Sequence, residues 1–151
     1  MSHRQPVTAP DAPTPAGPYS HAVRSGGLLF CSGQVPIDPA TGAIGDGSIG
    51  DHARQCLENL KAVCEAAGAQ LSDAVRMSIY VTDISTFGEV NEAYGAYFES
   101  DPPARTTIAS ISIRAPPGSA ATPIVVRAGG SDSKSAPYAS LTSPNVEMSV
   151  T

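Results

Sequence analysis

Arg105 is the residue of this chain whose position most constrains a possible chemistry. It follows Asp101-Pro102-Pro103-Ala104 and opens the β-branched run Thr106-Thr107-Ile108. The two prolines stop any preceding helix and push their neighbours into extended conformations. Side chains alternate along a strand, so Arg105, Thr107, Ala109, Ile111 and Ile113 share one face, and Thr106, Ile108, Ser110 and Ser112 share the other. The first face is the apolar one. An arginine at the mouth of a core-facing row needs an anionic partner, because a buried unpaired charge is too costly. That partner is either a structural Asp or Glu or the anionic group of a substrate.

Other chemistries find little support. His3, His21 and His52 are scattered, with no HExxH and no metal-ligand spacing. No GxSxG, P-loop or Rossmann glycine fingerprint occurs; the glycines at 42, 45, 47 and 50 lack the Lys-Ser/Thr ending and read as a mobile connector. Cys31 sits in a strand without a neighbouring base and reads as an inert buried thiol. What remains is one fixed cation with the neutral groups of Tyr19, Ser32, Asn91 and Thr107. That set suits recognition of a small carboxylate better than strong acid–base chemistry.

A net charge of −5 in 151 residues argues against a nucleic-acid or anionic-membrane surface. No apolar run approaches the ~20 residues of a membrane span, and the polar N-terminus does not resemble a signal peptide. Three cysteines without a CxxC fit a reducing cytoplasm.

The elements that must position these groups follow from periodicity. Residues 1–16, with prolines at 6, 10, 13 and 15, read as a flexible lead-in. Ala22–Arg24, the turn Ser25-Gly26-Gly27 and Leu28–Ser32 form a hairpin pattern. Asp38-Pro39-Ala40-Thr41-Gly42 is turn chemistry. From about Asp51, Ala53, Cys56, Leu57, Leu60, Val63, Cys64 and Ala67 make one helical stripe, decorated by Arg54–Glu58 and Glu58–Lys61 pairs and stopped by Gly68. Cys56 and Cys64 belong to the stripe and read as core packing. Val75, Met77, Ile79 and Val81 alternate as a half-buried strand. Thr86 and Glu89 make a capping-box signature for a second helix reaching about Phe98, with Phe87, Val90, Tyr94, Tyr97 and Phe98 as its stripe. Asn91 falls within that stripe, where a buried amide would bond a nearby backbone group. Ala115-Pro116-Pro117-Gly118 turns into a last strand at Ile124-Val125-Val126, and residues 128–151 read as a disordered tail. The order β-β-α-β-α-β-β predicts a single α+β domain over residues 17–127, a mixed sheet with both helices on one face.

Gly17-Pro18-Tyr19-Ser20, Ser32-Gly33-Gln34-Val35-Pro36, Arg54-Gln55-Cys56-Leu57-Glu58-Asn59-Leu60-Lys61, Val90-Asn91-Glu92-Ala93-Tyr94 and Pro103-Ala104-Arg105-Thr106 occur in the order and spacing of one family. Over about residues 8–126 the chain resembles the RidA/YjgF/YER057c/UK114 family of reactive-intermediate deaminases, also called the endoribonuclease L-PSP family. The resemblance implies a chorismate-mutase-like subunit in a homotrimer, with clefts between neighbouring subunits. It also implies cofactor-free hydrolysis of 2-imino or enamine acids to 2-keto acids and ammonia, as by a 2-iminobutanoate/2-iminopropanoate deaminase.

In this resemblance Arg105 clamps the substrate carboxylate, and Tyr19, Ser32, Gly33 and Asn91 line the cleft. Thr107 stands where many members carry a cysteine whose backbone holds the ligand and the attacking water. Arg105, Thr107 and Tyr19 are therefore the expected catalytic set. One departure stands out. The family's glutamate, on the strand after the Pro-x-Gly turn, has no counterpart in Gly118–Ile124; Thr122 falls nearest to it, and no Asp or Glu occurs between Asp101 and Asp132. The alternatives left open are a catalytically weak or pathway-specific member that binds a small carboxylate, and an RNA-cleaving or chaperone-like role.

Overall fold

The structure is a computed structural model that describes residues 4–98, 100–109 and, as a strand backbone, 146–150. The turn at Ala115–Gly118, the strand expected at Ile124–Val126 and most of the expected tail lie outside the described residues.

Eight principal elements follow one another: β1 (Gln5–Val7), β2 (Ala22–Ser25), β3 (Leu28–Cys31), α1 (Ile49–Ala66), β4 (Arg76–Val81), α2 (Phe87–Gly95), β5 (Ala104–Ala109) and β6 (Val146–Val150). The strands form two three-stranded ladders, β1-β2-β3 and β5-β4-β6. β2 and β3 are the expected hairpin. Gly26 and Gly27 both take positive φ, the requirement of a tight hairpin turn whose twist matches its strands. In the second ladder β4 runs parallel to β5, with α2 as the crossover, and antiparallel to β6. The mixed α+β architecture is the one the periodicities predict.

Two expectations are corrected here. The lead-in is not free: Gln5–Val7 pairs with β2 as an edge strand, and Ala9 and Ala12 pack with Ala22 and Val63. An edge strand tolerates Pro6, because the ladder does not need every N–H there. His21 ties the rest down. Its Nδ1 accepts the Ala9 N–H at 3.1 Å, which leaves Nε2 to donate to the Pro13 carbonyl at 3.0 Å. The tail likewise ends in structure, since Val146–Val150 forms β6 along β4.

α1 forms where the stripe lies but starts two residues earlier than expected. Ser48 is its N-cap, and Ser48 and Asp51 form a reciprocal capping box. Those hydrogen bonds hold the Asp51 carboxyl below the ordinary carboxylate range. Gly68, with φ +72, terminates the helix as expected. The exposed pairs are Arg54–Asp51 and Lys61–Glu58 rather than Arg54–Glu58. α2 is shorter than expected, ending at Gly95. Thr86 makes no side-chain cap to it, and its hydroxyl donates to the Asp83 carbonyl instead. Tyr97, just beyond α2, donates to Glu58 Oε1 at 2.5 Å and so joins the two helices.

Both helices pack on one side of the second ladder. Leu57 and Leu60 of α1, Met77, Ile79 and Val81 of β4, and Val90, Ala93 and Tyr94 of α2 make the main core. Met77, Ile79 and Val81 are the covered face of β4. Arg105 and Thr107 stand opposite Met77 and Ile79 in register, so they share the face the helices cover. Arg76, Ser78, Tyr80, Thr106 and Ile108 alternate to the other face, and none of them is buried in this chain.

Candidate functional site

Arg105 enters its site from the second residue of β5. The approach is fixed by Asp101, the only non-glycine residue with positive φ among those described, followed by the two prolines. α2 supplies the surroundings. Phe87, Asn91 and Tyr94 are spaced four and three apart and so share one helical face. The guanidinium carbon lies 5.2 Å from the Phe87 ring centroid and 4.7 Å from that of Tyr94. Nη1 donates to Asn91 Oδ1 at 2.8 Å. Each ring contact is worth about 0.5–2 kcal/mol, according to how dry the site is.

None of these partners is an anion. Among the described residues the ion pairs are Arg54–Asp51 and Lys61–Glu58, and neither involves Arg105. The cation is thus oriented by two π faces and a neutral amide, and no carboxylate among the described residues pairs with it. Asn91 is exposed, not buried, and its partner is a side chain and not the backbone group expected for it.

Two hydroxyls close to this cation have no partner. Tyr94 Oη and Thr107 Oγ1 are buried and make no hydrogen bond among the described residues. Burial pushes the Tyr94 phenol up, against the nearby Arg105, which pulls it down. The phenol therefore stays protonated near neutral pH and remains a donor. Two buried hydroxyls beside a cation that has no carboxylate partner among the described residues give this site its polar character.

Tyr19, Ser32 and Gly33 gather elsewhere, where β3 runs out beside the segment before β2. Tyr19 is 36% exposed, and its phenol oxygen accepts the Ala16 N–H at 3.1 Å. Ser32 Oγ donates to the Ser20 carbonyl at 2.7 Å, and the Ser32 N–H donates to the His21 carbonyl. No hydrogen bond or ring contact among the described residues joins this group to Arg105, Asn91 and Thr107. The structure thus divides the expected site residues into two sets within one chain.

Sequence reasoning missed the residue that ties the segment after Gly33 to α1. Asn59 of α1 is 2% exposed, and its Nδ2 donates to the carbonyls of Val35, at 3.0 Å, and Ile37, at 2.9 Å. Gln55 Nε2 completes it by donating to Oδ1 at 2.9 Å. The signal was present: Asn59 lies three after Cys56 and four before Val63, on the edge of the apolar stripe. Asn59→Leu should strand two carbonyls and destabilise the fold by about 2–4 kcal/mol. Asn59→Asp should fare no better, since a carboxylate cannot donate to either carbonyl. Urea unfolding of the two variants measures this, and near-native stability in Asn59→Asp would contradict it.

The strand at the end of the described residues was also missed. The sequence places the last strand at Ile124–Val126 and finds no acid near it. In the structure β6 carries Glu147, in register opposite Tyr80 at the middle of β4.

Other features stand apart from the site. No group of three or more His, Cys, Asp or Glu among the described residues is placed to hold a metal ion. Among the described residues no helix is long and apolar enough to cross a membrane. A surface groove of about 590 Å³, bounded by Lys61, Glu65, Gln70, Leu71, Ser72 and Tyr97, contains none of Tyr19, Ser32, Gly33, Asn91, Arg105 and Thr107.

The chain is similar to proteins of known family and known structure. Residues 9–117 match the family model for Endoribonuclease L-PSP. The RutC family protein PH0854 of Pyrococcus horikoshii is 45% identical over 105 residues, covering 70% of this chain and 83% of that protein. A protein of Dermatophagoides farinae named 2-iminobutanoate/2-iminopropanoate deaminase is 39% identical over 108 residues, covering 72% and 84% respectively. Among solved structures, YEO7 of yeast superposes with a TM-score of 0.74 at 31% identity, covering 97% of this chain and 95% of that one. TdcF of E. coli, crystallised with bound serine, gives a TM-score of 0.71 at 27% identity, covering 97% and 95%.

Proposed function

Since the chain belongs to the Endoribonuclease L-PSP family, the RidA/YjgF proteins, we propose that it hydrolyses 2-imino and enamine acids to 2-keto acids and ammonia. The observation that carries this reading is the un-neutralised Arg105, held by Phe87, Tyr94 and Asn91 without a carboxylate partner among the described residues. A structural arginine would have its counter-charge in the fold. This one has its orientation fixed and no counter-charge among the described residues, the preparation for a bidentate carboxylate. The names of two relatives fit the same chemistry, one an imine deaminase and the other solved with an amino acid bound.

In this reading Arg105 and Asn91 fix the substrate carboxylate, and the Thr107 backbone and hydroxyl lie beside the imine carbon. Tyr19, Ser32 and Gly33 of a neighbouring subunit close the cleft, which explains why one chain keeps the two sets apart. The subunit is a member of a homotrimer assembled through the sheet face that the helices leave uncovered. No cofactor is needed, because an imine is already an electrophile and water adds to its carbon once placed. An RNA substrate is disfavoured by the net charge of −5.

The test is to generate 2-iminobutanoate in place with an amino-acid oxidase and follow its decay. The protein should accelerate decay catalytically, releasing 2-ketobutyrate and ammonia. Decay at the buffer rate with folded protein would refute hydrolysis. Binding of 2-ketobutyrate without hydrolysis would leave only carboxylate recognition.

A further inference from the structure

His21 immediately precedes β2 and is buried against the segment that follows β1. Its two ring nitrogens play opposite parts. Nδ1 accepts the Ala9 N–H at 3.1 Å, and Nε2 donates to the Pro13 carbonyl at 3.0 Å. Only the neutral ring with its proton on Nε2 can do both, because a backbone N–H cannot accept and a carbonyl cannot donate. Among the described residues these are the ring's hydrogen bonds, and both go to the backbone of one segment. That segment has few other anchors. β1 has three residues, lies at the edge of its ladder and includes Pro6, and the buried side chains beyond it are the small Ala9 and Ala12.

We propose that His21 is a pH-sensitive latch, which holds residues 5–13 on the body when neutral and releases them at Ala9 when protonated. The imidazolium carries an N–H on both nitrogens. Its Nδ1–H then meets the Ala9 N–H, donor against donor, and one of the two must move away. Nε2 still donates to Pro13, so release begins at Ala9 and runs back through β1. The far end of the same segment is tied to Tyr19, whose phenol oxygen accepts the Ala16 N–H. The latch therefore adjoins the group of Tyr19, Ser32 and Gly33. The proposal is independent of the deaminase reading.

Linkage gives the direction. A released ring is free to take a proton, and a latched one cannot do so without losing the Ala9 bond. The released state therefore binds more protons, so latching is firm above the ordinary imidazole range, near about pH 6.5, and weakens as pH falls through it. One linked proton shifts the latching equilibrium by up to about tenfold per pH unit. The charged groups nearby do not reverse this. The segment brings Arg4 and Asp11, and the chain around His21 brings Tyr19 and Arg24. β3 brings Cys31, and the part of α1 around Val63 brings Lys61, Cys64 and Glu65. Asp11 and Glu65 are the acids that favour an imidazolium, and both are exposed, where a charge pair is worth little. Arg24 is engaged with the Ala67 carbonyl, and Lys61 with Glu58.

Hydrogen exchange of the full-length protein reads the latch directly, followed by peptide mass at about pH 7.5 and about pH 5.5 and corrected for the intrinsic pH dependence of exchange. Protection of residues 5–12 should fall about tenfold at the lower pH and return when the pH is restored, while that of β4 holds within about twofold. Ordinary carboxylates stay ionised across this interval. His21→Gln supplies the same acceptor and donor in one amide but takes no proton, so its protection should be equal at both pH values. Constant protection in the parent, a loss shared equally by β4, or the same loss in His21→Gln would each overturn the proposal. If His21→Gln folds poorly, the imidazole nitrogens of the parent decide by NMR. His21 should carry its proton on Nε2 at the higher pH and gain the second over the interval in which residues 5–12 lose protection. A ring already protonated on Nδ1 at the higher pH, or a second proton gained without that loss, would overturn it equally.

Discussion

Arg105→Ala should fold with a stability within about 2 kcal/mol of the parent, yet lose about 2–3 kcal/mol of affinity for 2-ketobutyrate, roughly thirty- to two-hundredfold. Both halves of this expectation follow from the neutral surroundings of the guanidinium. Its removal forfeits two cation–π contacts and a hydrogen bond at a half-buried site, and strands no carboxylate among the described residues. Had an Asp or Glu been its partner, the same substitution would leave a buried charge and cost about 3–5 kcal/mol of stability. Arg105→Lys should recover part of the binding only, since an ammonium lacks the planar fork. Thermal melts and ketobutyrate titrations of the two variants measure both quantities. Unchanged affinity in Arg105→Ala would remove the carboxylate clamp, and with it the main support for imine hydrolysis.

Truncation after Arg127 should be the most damaging change to the fold itself. Composition alone suggests the opposite, because residues 128–151 are rich in Gly, Ser and Pro. In the structure, however, β6 pairs along β4 from Met77 to Val81, the strand whose alternate residues are the floor of the core. Its loss turns β4 into an edge. Five cross-strand pairs and their ladder hydrogen bonds disappear, together about 3–5 kcal/mol. A melting temperature lower by ten degrees or so is expected. An unchanged melt would show that β6 contributes nothing to the body.

The elements legible in the sequence were those with many turns or strong punctuation. The seven-residue stripe of α1, the alternation of Met77, Ile79 and Val81, and the Gly26-Gly27 turn each repeat one physical signal several times. β1 was hidden because Pro6 reads as a breaker, and only an edge position makes it harmless. β6 offered a five-residue alternation, Val146, Met148 and Val150, at the end of a low-complexity stretch, too short to stand against its setting. Arg105 was legible as a cation needing a partner. Which kind of partner was not, because that depends on α2 bringing Phe87, Asn91 and Tyr94 around it. The roles of Asn59 and His21 depend on loop carbonyls and amides that no periodicity encodes.

A subunit-mixing experiment tests the central claim most directly. That claim is that the anion clamp and the wall that closes over it act in one hydrolytic cleft while belonging to different chains. Arg105→Ala loses the clamp, and Tyr19→Ala combined with Ser32→Ala loses the wall. Each alone should hydrolyse 2-iminobutanoate at near the buffer rate. Co-expressed in equal amounts, they form mixed oligomers in which about one cleft in four is intact, by random assembly around a closed ring. The account predicts recovery to about a quarter of the parent activity. If the mixed preparation, verified to contain both chains in one oligomer, stays as inactive as its components, the shared cleft is wrong.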